Sequence, residues 1–220
     1  LKPRADGERL RSTLAEAGLI RDSGHEHLRG CVTFPILGED GSVLGCYGRR
    51  IDSGNDGIRH LYLPGPHRGV WNWQGVAEAG KTQSELIVCE AIIDALTFLC
   101  AGFSAVTAAY GTGGFTADHW SALTCHGVRR VLIAYDRDEA GEKAAQVLAG
   151  ELTAAGVAAW RVHFPAGMDA NQYAQQVKPA RKALEVVIGA AQWVGRGPAP
   201  SRSTSTVTHP EPVADTVEIA

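Results

Sequence analysis

No run in this chain reaches the roughly 18 apolar residues that a membrane-spanning helix requires, and no basic segment followed by an apolar leader opens it. A membrane partner is therefore not expected. No two cysteines form a C-x-x-C pair. The five, Cys31, Cys46, Cys89, Cys100 and Cys125, are scattered and odd in number. That argues against a zinc ribbon or a disulfide framework and for a reduced, cytoplasmic protein. His25, His27, Cys31 and Cys46 are the one other metal-like set, and they lack the tight paired spacing of zinc sites. There is no G-x-S-x-G elbow, and the glycine loop Gly111–Gly114 is not followed by Lys and Ser or Thr. A serine-hydrolase elbow and a P-loop are thus excluded. Nor is the chain a polycation, since its net charge is −3.

What is present is an ordinary globular balance, with 45% hydrophobic and 20% charged residues in 220. The first residue is Leu1 rather than Met, which reads as a piece of a longer protein. Charge is unevenly placed. Between Gly41 and Gly75 the bases Arg49, Arg50, Arg59 and Arg68 face only Asp52 and Asp56, with His60 and His67 alongside. The remainder is acidic. Such a division suits one surface that grips phosphates and another that holds a cation.

Three regions are expected: a small mixed α+β basic subdomain over 1–75, an α/β domain with a C-terminal helix over 76–194, and a disordered tail or linker over 195–220. In the first, Leu10 to Ile20 reads as a short helix stopped by Gly18. CVTFPIL and SVLGCYG, joined by the turn GEDG, read as a hairpin. In the second, the apolar strands LIVCE, SAVTAAY, VRRVLIAYD and VAAWRVHFP alternate with helical segments, one of which opens on Thr116 as N-cap. Continuous apolar strands separated by helices predict a parallel sheet covered on both faces. The tail holds few large apolar side chains to offset its ordering entropy.

In such sheets the active site lies at the carboxyl ends of the strands. Glu90 closes the first strand, Asp136 and Asp138 follow the third, and Asp169 follows the fourth. Asp94 lies one helical turn past Glu90. Hard oxygen ligands gathered in this way suit Mg²⁺. Crowding of like charges predicts a raised pKa for Glu90. Asp136 with Glu139 three residues on also fits a capping box, a role compatible with metal binding. The glycines of the 111–114 loop are expected to let the backbone pass close to the acidic edge.

The runs LIVCEAIIDAL and VLIAYDRDEAGEKAA resemble the TOPRIM domain of topoisomerases and bacterial primases. CVTFPILGEDGSVLGCYGRRI, HLYLPGPHRGVW and FPAGMDANQY resemble, in the same order, segments of the bacterial DnaG-type primase catalytic core. The likeness covers about residues 25–175. The zinc-finger module of that family has no counterpart here. Asn171 stands where the family usually has a second acid, and Leu61 where a lysine precedes Tyr62.

The resemblance implies a TOPRIM-type parallel sheet flanked by helices, with Glu90 as the acid/base or metal-organising group. It implies a metal site of Asp136 and Asp138 supported by Asp94 and Asp169, binding Mg²⁺ or Mn²⁺. Arg49 would line the template groove, with Arg50, Arg59, Tyr62 and Arg68 as further nucleic-acid contacts. The implied activity is a primase-type nucleotidyltransferase that makes RNA primers from ribonucleotides on single-stranded DNA, from a mobile element or accessory replication system, with a replicative helicase as partner. A TOPRIM nuclease using the same metals, or a non-catalytic nucleic-acid-binding or helicase-partner module, are the alternatives.

Overall fold

A computed structural model describes residues 4–51 and 59–202, with side chains from residue 6 onward. Asp52 and Asp56 of the basic stretch, and the expected tail beyond residue 202, lie outside the described residues. Helix α1 (Arg4–Glu16) starts and ends earlier than the apolar pattern from Leu10 suggested. Gly18, at φ 73°, accompanies its stop, because only glycine takes up that backbone cheaply. β1 (Cys31–Leu37), β2 (Val43–Arg50) and β3 (His60–Tyr62) form an antiparallel three-stranded sheet. The expected hairpin is present. Its turn closes through Gly38 N–H to Ser42 O and Gly41 N–H to Gly38 O.

The second sheet is built from β4 (Leu86–Cys89), β5 (Val106–Ala108), β6 (Arg130–Ala134), β7 (Ala158–Arg161) and β8 (Gln192–Trp193), in the order β5-β4-β6-β7-β8. All pairs are parallel except β7 with β8. Successive side chains of the strands point to opposite faces, so the apolar strands feed two cores. Leu86, Val88, Val131 and Ile133 bury against α2 (Trp73–Thr82), α4 (Ala117–His126) and α5 (Glu139–Ala154). Ile87, Cys89, Leu132 and Ala134 bury against α3 (Ile92–Cys100), α6 (Ala170–Gln176) and α7 (Ala180–Gly189). This is the α/β sheet covered on both faces that the strand pattern predicts, with one antiparallel edge strand added.

The three-stranded sheet is not a separate body. Ile36 of β1 and Tyr47 of β2 belong to the same buried cluster as Ile87, Cys89 and Trp160 of the large sheet. Between the sheets, Gly69 N–H donates to Asp118 Oδ2 at 2.6 Å and Tyr110 Oη–H donates to the carbonyl of Arg68 at 2.6 Å. Glu39 of the hairpin turn meets His126 at 2.8 Å. The basic strands are thereby fixed relative to the carboxyl edge of the parallel sheet. At the other end, the guanidinium of Arg202 grips Glu85 with Nε to Oε1 at 2.7 Å and lies over the Trp160 ring. Residues 195–202 thus return to the body of the protein. No helix among the described residues is long and apolar enough to cross a membrane.

Candidate metal centre and nucleic-acid interface

The ends of β4 and β6 bring the expected acids together. Glu90 is half-buried and Asp94 is 4% exposed. Burial, the Asp136 charge and, more weakly, Asp138 push the Glu90 carboxyl up to about 7, against a bond from the Asp136 backbone N–H and the Arg161 charge. Asp94 is pushed up to about 8, chiefly by burial and then by Asp136 and Asp169. Asp136 is raised as well, by burial and by Asp169 and Asp138. The rise expected for Glu90 is present, and the effect extends to two further acids. One oxygen each of Glu90 (Oε2) and Asp94 (Oδ1) is buried with no hydrogen-bond partner. A buried carboxylate oxygen without a donor is costly, and either a proton or a cation relieves it.

Asp138, not Asp136, caps α5. Its Oδ1 accepts from Gly141 N–H at 2.7 Å. This corrects the capping box expected for Asp136 and Glu139. The cap needs a very close loop, and a Cβ on Gly141 would stand 2.3 Å from the Asp136 carbonyl oxygen. Asp169 caps α6 in the same way, accepting from Gln172 N–H at 2.7 Å. Each cap occupies one carboxylate oxygen and leaves the other for a cation.

Asp136, Asp138 and Asp169 share the wall of a cleft of about 190 Å³ with Arg137, Met168 and Gln172. Glu90 and Asp94 are not on that wall and couple to Asp136 electrostatically. A larger hollow of about 450 Å³ lies between residues 112–115 and α5, floored by Phe115, Ala144 and Val147. It holds none of these acids, so the smaller cleft is the chemically pertinent one. Among the described residues, no three His, Cys, Asp or Glu side chains already converge as a ready metal cage. The donor set nonetheless fits Mg²⁺, which commonly takes only one or two carboxylates and completes its shell with water and phosphate oxygens. The glycine loop behaves as expected. Gly111, at φ 87°, donates its N–H to the Glu90 carbonyl at 3.1 Å and so runs along the acidic edge.

Sequence reasoning missed Arg161. This β7 side chain is 4% exposed and lies beneath the Asp136–Asp138 loop. Its Nη1 donates to the carbonyls of Ile133, Tyr135 and Val162 at 3.2, 2.9 and 2.6 Å. Its Nη2 donates to the Asp136 carbonyl at 3.0 Å and to Glu142 Oε1 at 2.7 Å. One planar fork therefore ties the end of β6 to β7 and α5. Its charge also holds Asp136 and Glu90 lower than burial alone would.

The expected nucleic-acid residues are spread along the neighbouring small sheet. Arg49 and Arg50 are half-buried at the end of β2, Arg59 and Arg68 are exposed, and Tyr62 is half-buried. Arg49 Nη1 donates to His60 Nε2 at 2.5 Å. A guanidinium can only donate, so the other ring nitrogen of a neutral His60 carries the proton and faces Tyr47 Oη at 2.8 Å. Burial and the charges of Arg49 and Arg59 keep the His60 pKa low, consistent with that neutral ring. His27 bonds the Tyr62 carbonyl at 2.9 Å, and among the described residues the alternative set of His25, His27, Cys31 and Cys46 forms no group placed to hold a metal. All five cysteines are free.

Two expected outcomes follow from this geometry. Glu90, Asp94 and Asp136 bind protons more tightly folded than unfolded. Their contribution to stability is complete below the unfolded carboxyl range and is lost as pH rises through the folded values of about 7 and 8 for Glu90 and Asp94. In EDTA, the denaturant midpoint should fall between about pH 5 and pH 9. Asp94→Asn should flatten that fall and be more stable than the parent at the alkaline end; a parent midpoint independent of pH would contradict the crowding. Arg161→Met removes the guanidinium donor from Glu142 and from four carbonyls, of which Ile133 keeps the Val162 N–H, and should lower unfolding free energy by about 3 kcal/mol in denaturant titration. A loss under about 0.5 kcal/mol, the range of ordinary surface changes, would return Arg161 to a passive role.

Comparison with known proteins places this geometry in a family context. Residues 87–174 match a family described as Toprim-like. The chain is 29% identical over 153 residues to a DNA primase of Chlamydia trachomatis, covering 67% of this chain and 26% of that protein. It therefore spans about a quarter of the length of that relative. The E. coli primase catalytic core superposes with a TM-score of 0.69 at 26% identity, covering 87% of this chain and 63% of the other. A DnaG primase catalytic domain bound to single-stranded DNA also gives 0.69 at 26% identity, over 84% and 60%. Residues 87–174 thus resemble a Toprim-like domain, and the chain resembles the catalytic core of bacterial DnaG-type primases.

Proposed function

We propose that this chain is the nucleotidyl-transfer core of a primase, extending RNA primers on single-stranded DNA. The observation that carries the reading is the set of raised, partly unpartnered carboxylates at the strand ends, on a fold shared with primase cores. Asp136 and Asp138 would hold Mg²⁺ or Mn²⁺, with Asp94 and Asp169 in support. A divalent ion bound there supplies neutralisation of the triphosphate and of charge developing on the transferring phosphoryl group.

The protein's own groups have separate tasks. Glu90, with a carboxyl near 7, is balanced to accept a proton from the attacking hydroxyl at neutral pH. That hydroxyl oxygen bonds to the α-phosphorus of a ribonucleoside triphosphate, the bond to the pyrophosphate oxygen breaks, and the proton passes to Glu90. Arg161 fixes the Asp136 backbone so that the acids keep their aim. Arg49, Arg50, Arg59 and Arg68 hold template phosphates, and Arg49 is held in place by His60. A replicative helicase fits as partner under this reading.

The test is incubation with single-stranded template, ribonucleotides and Mg²⁺ or Mn²⁺. Primer extension is expected, with a loss of at least ~100-fold in Glu90→Gln and abolition in Asp136→Asn. Nicking of the DNA instead would identify a nuclease. Binding that is unchanged in EDTA, with no product, would identify a non-catalytic module.

A further inference from the structure

The junction between the two sheets carries an aromatic array that the metal chemistry does not use. Tyr62 of β3 packs against Tyr47 with ring centres 5.2 Å apart, and edge-on against both His67 and Tyr110, at 4.8 and 5.3 Å. His67 then lies flat on Tyr110, with centres 4.5 Å apart and planes only 3° from parallel. Tyr110 cannot swing away, because its Oη–H is shared by the carbonyls of Arg68 and Gly69 at 2.6 and 3.0 Å. His119 also packs edge-on against it, with its ring centre 5.5 Å away. His67 itself is exposed.

The array is therefore a rigid stack whose outermost ring is open to solvent. Its place matters. Tyr110 immediately precedes Gly111, whose N–H bonds the Glu90 carbonyl, and exposed Arg68 immediately follows His67. A flat ring, a cation and the carboxyl edge thus adjoin along a few residues of backbone. An ordinary packing contact would bury the ring, but here the burial is spent on Tyr110 and Tyr62 beneath it.

We propose that the exposed face of His67, backed by Tyr110, is a stacking step for an unpaired nucleobase of a single strand, with Arg68 on the adjoining phosphate. The proposal rests on the nucleic-acid reading above and adds a residue and a mode of contact to it. Base stacking on a ring is tolerant of sequence, since every base has a π-face. A preformed stack costs little to order on binding.

The experiment titrates the full chain into a single-stranded oligodeoxynucleotide carrying 2-aminopurine, reading its fluorescence at several salt concentrations. Wild type should bind and change the fluorescence. His67→Ala should weaken binding by about ten-fold, within the range of one lost stacked base, while the slope of log affinity against log salt stays the same, because no phosphate contact is removed. His67→Phe, which keeps a flat ring, should restore affinity, and thermal melts of both variants establish that they fold. Wild-type affinity in His67→Ala, or failure of folded His67→Phe to rescue, would overturn the stacking step while leaving the nucleic-acid reading standing. No binding by the wild-type chain would overturn both. A free nucleotide that competes at the same concentration as the oligonucleotide would assign the surface to a mononucleotide and overturn the strand assignment.

Discussion

The constraint on which the rest depends is the crowding of carboxylates at the carboxyl edge of one parallel sheet. Burial first, and then the charges of their neighbours, raise the carboxyls of Glu90, Asp94 and Asp136 above the ordinary range. An edge of that kind is tolerable only if something offsets the repulsion. Three devices do so here. Asp138 and Asp169 are turned onto the N-termini of α5 and α6, where exposed backbone N–H groups favour negative charge. Arg161 lies beneath the loop with its charge directed at Asp136 and Glu90. What these leave uncompensated is the donor set that suits a hard divalent cation.

The same constraint explains features that look unrelated. Gly141 must be glycine because the loop carrying Asp136 presses against the first turn of α5, where a Cβ would stand 2.3 Å from a carbonyl oxygen. Gly111 lets the chain leave β5 at φ 87° and reach the Glu90 carbonyl. The small basic sheet is fastened to the large one through a shared core and the Tyr110 and Asp118 hydrogen bonds. A basic surface and an acidic edge thus keep a fixed separation.

Much of this was legible in the sequence because it is local. LIVC and VLIA are apolar through and through, and only a strand covered on both faces needs that. The acids that follow them then fall on one edge without further information. The cap was misassigned for an identifiable reason. The capping-box pattern looks for a Glu three residues on and finds it after Asp136, whereas the true cap, Asp138, has Gly141 at that position and bonds its backbone alone. Helix α2 was not anticipated from the sequence. Its Gly75 and Gly80 are there for close approach, since a Cβ on Gly80 would stand 1.9 Å from the His126 carbonyl oxygen. Arg161 and the stack of His67 on Tyr110 were invisible because, the adjacent Val162 apart, their partners lie 19 to 43 residues away in the chain.

The most direct test of the account is proton release on metal binding. With protons held on Glu90 and Asp94 at neutral pH, a cation entering the site must displace them. Adding Mg²⁺ to the metal-free chain in weakly buffered solution at about pH 7 should release about one proton per chain, and the release should fade towards pH 10 as the acids are already ionised. Magnesium that binds at neutral pH with no proton displaced, or a release that persists unchanged at alkaline pH, would contradict the claim that carboxylate crowding builds this site.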